Sequence, residues 1–143
     1  MSFKKKLYKL TGKFISKSQF RYFFNLKDDG RKTTSYTLVF FCGRKGIEYL
    51  NASLISVYKH WDELPPICIV SDGTPVEIIR KGMLKWPRPV NIITWEDCAL
   101  HLKSKGNEDA YKYASTELWG RKFVAIHYCA EKFPSLYSDT DLQ

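Results

Sequence analysis

Tyr36-Thr37-Leu38-Val39-Phe40-Phe41-Cys42 is an unbroken uncharged run, rich in β-branched and aromatic side chains, and Gly43-Arg44-Lys45-Gly46 follows it at once. A strand with one wet face alternates apolar and polar residues; a continuous run reads as a strand covered on both faces. Beyond the loop the period changes. Ile47, Leu50, Leu54, Val57 and Tyr58 share one side of a helix over 47–60. Pro65-Pro66 ends that unit. Ile67-Cys68-Ile69-Val70 is a second buried strand, closed by Ser71-Asp72-Gly73-Thr74-Pro75.

The alternation continues. Thr74 is expected to cap a helix that has Pro75 at its first position, Glu77 at the capping-box position and its end near Gly82. Val90 to Thr94 reads as a third strand, and Thr94 as the cap of a short helix from Trp95 to about Lys103. A single long helix is expected from about Asn107 to Lys132, stopped by Pro134, with a fourth short strand over Ser135 to Ser138. Strands alternating with helices specify an α/β fold. The sheet is expected to be mostly parallel and Rossmann-like, with helices on both faces.

The 143 residues suffice for one ordinary domain, and the 44% hydrophobic content supports a real core. No apolar run approaches the roughly 20 residues that span a bilayer, and no apolar signal stretch follows the basic N-terminus. The chain reads as cytoplasmic. Cys42, Cys68, Cys98 and Cys129 lack the close spacing of a metal site and are expected to be buried free thiols. His60, His101 and His127 lie in separate helical segments and read as structural.

The formal charge of +8 is unevenly placed. Residues 1–32 hold ten Lys or Arg against two Asp, so residues 33–143 are neutral. A nucleic-acid-binding body would carry a basic face of its own, so no nucleic-acid partner is expected. The basicity belongs to an arm over residues 1–33, in which Phe3, Leu7, Leu10 and Phe14 recur at helical spacing between lysines. Such an arm can lie on an anionic membrane surface, pack on the main domain or stay a leader. The folded domain, residues 34–143, is expected to begin near Thr34.

Ligands of parallel sheets sit beyond the carboxyl ends of the strands. Those ends are Gly43 and Arg44, Asp72 and Gly73, and Asp139-Thr140-Asp141; the Thr94-Trp95 end says nothing by itself. Asp139 and Asp141 offer carboxylate oxygens that suit Mn²⁺ or Mg²⁺, and the alternative is a solvated acidic turn. Lys122 falls on a helical face with Leu118, Ala125, Ile126 and Cys129. It must find an anion there (a diphosphate, Glu117 or Asp139) or snorkel to solvent. Asp72 suits a base N–H or a ribose hydroxyl, with Gly73 allowing close backbone approach, or it shapes an Asx turn. Arg44 meets a phosphate or is a plain loop residue, and Arg121 reads as a surface residue. No Gly-rich phosphate loop or nucleophile-elbow serine is present.

The strand YTLVFFCG, the ending IVSDGTP, the helix STELWGRKFVAIHY and the closing SLYSDTD together resemble the N-terminal part of a nucleotide-sugar-dependent glycosyltransferase of the A-type fold. The resemblance covers roughly residues 34–143. It implies a nucleotide-diphosphate-sugar transferase sheet, with the nucleotide across the first strands. By position, Asp139 and Asp141 would hold the metal and diphosphate, Asp72 would contact the nucleotide, and Lys122 would face the sugar diphosphate. Members of this family continue past the Asp-any-Asp motif to build the acceptor site, so the chain is expected to be a truncated donor half, with catalytic residues and acceptor undefined. The alternatives are a sugar-phosphate nucleotidyltransferase, which would want more glycines after the first strand than Gly43 and Gly46, and a non-catalytic module that binds a membrane or partner through residues 1–32.

Overall fold

The computed structural model describes residues 26–139. Four strands form one parallel sheet: β1 (Thr37–Cys42), β2 (Ile67–Ser71), β3 (Val90–Thr94) and β4 (Ser135–Asp139). Their order across the sheet is β3-β2-β1-β4. Five helices flank it: α1 (Ile47–His60), α2 (Val76–Gly82), α3 (Trp95–Ser104), α4 (Glu108–Thr116) and α5 (Leu118–Lys132). The α/β reading of the sequence holds.

The uncharged run of β1 is central because it has partners on both edges and both faces. Leu38, Phe40 and Cys42 pack with Leu50, Leu54, Ile67, Ile69 and Ile79 in one core layer. Val39 and Phe41 pack with Cys68, Val70, Cys98, Val124, Ala125 and Cys129 in the other. Successive strand residues point to opposite faces, so one continuous apolar run feeds two cores. Helices α1 and α2 cover the first face, and α3, α4 and α5 cover the second. The edge strands β3 and β4 are less buried than β1 and β2.

Three local expectations need correction. First, α2 starts at Val76 after Pro75, with no side-chain cap. The Thr74 hydroxyl is taken by the loop instead: it donates to Asp72 Oδ1 and accepts from the Arg44 backbone N–H. Second, the long helix is two helices, broken at Glu117 in extended backbone. Ser115 and Thr116 turn their hydroxyls back onto the carbonyls of Tyr111 and Lys112, which weakens helix continuation. Gly120 then lets α5 pass so near the Tyr113 backbone that an added Cβ would overlap it. Thr94 does cap α3, with a reciprocal box to Asp97.

Third, packing begins before Thr34. Leu26 is buried in the α1-side core, and Thr33 bridges to Leu64. Arg31 lies over the Tyr58 ring and donates to the carbonyls of Tyr58 and Trp61 at 2.6 and 2.9 Å. These carbonyls lie at the C-terminal end of α1, where helix carbonyls lack intrahelical donors. The rest of the basic arm, with the membrane-surface reading attached to it, lies outside the described residues. No helix among the described residues is long and apolar enough to cross a membrane.

Candidate functional site

The strand order reverses direction between β1 and β4, and the crevice of such a sheet opens at that point, beyond the carboxyl ends of the two strands. Gly43 follows β1 and Asp139 ends β4, one on each side of the crevice. The β2 loop, with Asp72 and Gly73, adjoins Gly43. The sheet therefore brings the sequence-predicted residues of three strand ends to one rim.

Asp72 is the hub of the β2 loop. Its Oδ1 accepts from the Thr74 backbone N–H at 3.0 Å and from the Thr74 hydroxyl at 2.9 Å. Its backbone N–H donates to Cys42 O at 3.1 Å, which ties the loop to the end of β1. The carboxylate rests over Gly43, in the space that a side chain there would fill. Gly43 thus seats Asp72 and leaves no gap for a ligand of its own. The Asx-type turn predicted for Asp72 is present, and its Oδ2 is the atom that lies nearest Gly43. Gly73 has φ of 127°, a backbone region that L side chains rarely adopt.

Helix α5 roofs this rim with two adjacent cations. Arg121 is half-buried, contrary to the surface position expected of it. Its Nη1 donates to the Asp72 carbonyl at 2.6 Å, its Nε donates to Ala114 O at 3.2 Å, and its guanidinium lies 4.4 Å over the Trp95 ring. The extended residue at Glu117 is what frees the carbonyl of Ala114 for this contact. Under Arg121, the Trp95 indole N–H is buried and has no acceptor among the described residues. It faces Gly73, where an added Cβ would come within 3.7 Å of it. The sequence signal was available in the Thr94-Trp95 strand end, but only α5 packing reveals it.

Lys122 is 7% exposed, so it does not snorkel. Its anion is Asp139: Nζ lies 3.4 Å from Oδ2 and 3.5 Å from Oδ1. The same ammonium lies 4.8 Å from the Trp119 ring centroid and 5.9 Å from that of Phe41. Phe41 and Asp139 are register partners on β1 and β4, so both lie on the α5 side of the sheet. That shared face is why a helix residue and a strand-end carboxylate meet.

The other predicted residues divide. The Arg44 side chain is exposed, and only its backbone N–H joins the loop, through Thr74. Asp141 lies outside the described residues. Among the described residues no group of three His, Cys, Asp or Glu stands ready for a metal. The described donor is therefore Asp139, a hard oxygen ligand that suits Mn²⁺ or Mg²⁺. Any cation there shares its oxygens with the Lys122 ammonium. All four cysteines are buried thiols outside any disulfide, with Cys68 Sγ 3.9 Å from Cys129 Sγ. The contact with Cys129, followed by burial, pushes the Cys68 thiol up, and burial does the same for Cys98.

Comparison of the chain with family models, with characterised proteins and with solved structures finds no match.

Proposed function

We propose that this domain binds the donor of a glycosyltransferase, a nucleotide-diphosphate sugar, in the crevice between β1 and β4, with Mn²⁺ or Mg²⁺ held by Asp139 and Asp141. The observation that carries the reading is the buried Lys122 paired with Asp139 at the end of β4. A buried ammonium and a carboxylate at the rim of a parallel sheet form a charged site in the place where such folds take polar ligands.

Each residue then has a role. Asp72, Arg121 and the buried Trp95 N–H take the nucleoside end around Gly73. Lys122 exchanges its contact with Asp139 for the diphosphate, delivering one positive charge to it. Asp139 and Asp141 would hold the metal, which would supply positive charge to offset that building on the departing nucleoside diphosphate. An acceptor hydroxyl gives the new glycosidic bond, and nucleoside diphosphate and a proton leave.

Calorimetry with UDP, GDP, CDP and dTDP, each with and without Mn²⁺, tests the reading. It expects one of these to bind in a Mn²⁺-dependent way, and that binding to be lost when Asp139 and Asp141 are both replaced by Ala. Metal-dependent binding that survives the double replacement would remove the site assignment.

A further inference from the structure

Trp119 stands in the first turn of α5, one turn before Lys122, and is 69% exposed. Tryptophan is usually highly buried, and exposing so large an apolar ring costs hydrophobic stabilisation. This indole is also not adrift on the surface. One side of the ring receives the Lys122 ammonium at 4.8 Å, and that ammonium is the group paired with Asp139. Trp119 therefore borders the charged site, with most of its ring open.

We propose that Trp119 is the sugar platform of this site, packing its open face against the pyranose ring of the donor. This rests on the donor-binding reading above and deepens it. A pyranose has a face of C–H groups that is apolar and slightly positive. An indole face is apolar and negative, so the two are complementary. The ammonium on the ring and the carboxylate beside it would set where the diphosphate ends and the sugar begins. The partly exposed Phe123, one turn further along α5, extends the apolar wall. Neither Asp72 nor Arg121, on the nucleoside side of the rim, offers a comparable surface.

The experiment compares a nucleoside diphosphate with its glucose conjugate on the full chain with Mn²⁺, using UDP and UDP-glucose, GDP and GDP-glucose, CDP and CDP-glucose, and dTDP and dTDP-glucose. The quantity read is the affinity gained by adding the sugar. Aromatic stacking of this kind is worth roughly two- to tenfold in affinity. The gain, read in each variant as the ratio of its affinities for the sugar conjugate and the bare diphosphate, is expected to vanish in Trp119→Ala and to persist in Trp119→Phe; the ratio cancels any change in diphosphate affinity that follows from losing the indole beside Lys122. Both should fold, because Trp119 is largely exposed; circular dichroism checks this. If the diphosphate binds and the sugar gain is unchanged in Trp119→Ala, the platform is wrong and the donor site stands. If no nucleoside diphosphate binds the wild-type chain, the donor site falls and the platform falls with it.

Discussion

The Lys122 ammonium reaches both carboxylate oxygens of Asp139, at 3.4 and 3.5 Å, from the helix α5 that packs on the sheet. The lysine side chain is 9% exposed and the aspartate 35%. An ion pair this unequal in burial is costly to break from one side. Lys122→Met leaves Asp139 without its ammonium, and solvent access to Asp139 limits the loss to about 1–2 kcal/mol. Lys122→Met with Asp139→Asn should regain most of it, since removing both charges leaves no orphan. Urea denaturation of the wild type and these two variants measures both changes. A double variant no more stable than the single one would deny the coupling.

Gly43 and Asp72 form a second dependent pair. A methyl at residue 43 displaces the carboxylate that holds Thr74, so Gly43→Ala is expected to destabilise by roughly 1–3 kcal/mol. Adding Asp72→Ala should relieve the overlap and bring the double variant close to Asp72→Ala alone. Thermal melts of the pair check this non-additivity.

The crossing of α4 and α5 gives a prediction about backbone. An added Cβ at Gly120 meets the Tyr113 carbonyl group and the Ala114 nitrogen, neither of which can rotate away. Gly120→Ala should therefore cost about 2 kcal/mol or more, whereas Gly106→Ala, where the space is open, should cost only its positive-φ strain of about 1 kcal/mol. Denaturant midpoints of the two variants order them.

The thiols predict a pH response. Cys42, Cys68, Cys98 and Cys129 are buried; Cys68 and Cys98 are pushed up, whereas the contact with Cys68 holds Cys129 below its ordinary value, so slow labelling of the native chain rests on burial. Ellman's reagent at pH 8 should label none of the four quickly, and all four after denaturation. Raising the pH to 9 should speed the native reaction much less than that of a free thiol. Fast native labelling of Cys68, Cys98 or Cys129 would show that the α5 face opens, and of Cys42 that the α1 face does.

The strand run over 36–42 made the fold legible because a parallel strand buried on both faces needs apolar side chains at every position, and few other elements do. Gly43 and Asp72 were legible as rim residues for the same reason: they stand at the ends of such runs; Asp139 was legible as the end of the short edge strand that follows Pro134. The break at Glu117 was not. Ser115 and Thr116 weaken the helix there, and the fit of Gly120 against the Tyr113 backbone, a contact between residues on two helices that no periodicity encodes, accommodates the break. Arg121 was misread with it, since its carbonyl partner at Ala114 exists only because the helix breaks. Lys122 could be placed on an apolar face from spacing alone, but its anion could not be chosen between Glu117 and Asp139 until β4 was set beside β1.

The most direct measurement is electron paramagnetic resonance of Mn²⁺ added to the chain with the nucleoside diphosphate that binds. The six-line signal of free Mn²⁺ should fall below its level with the nucleotide alone as the ternary complex forms, and should stay at that level when Asp139→Ala and Asp141→Ala are combined. Equal loss of signal in the wild type and the double variant would place the metal elsewhere and contradict the account.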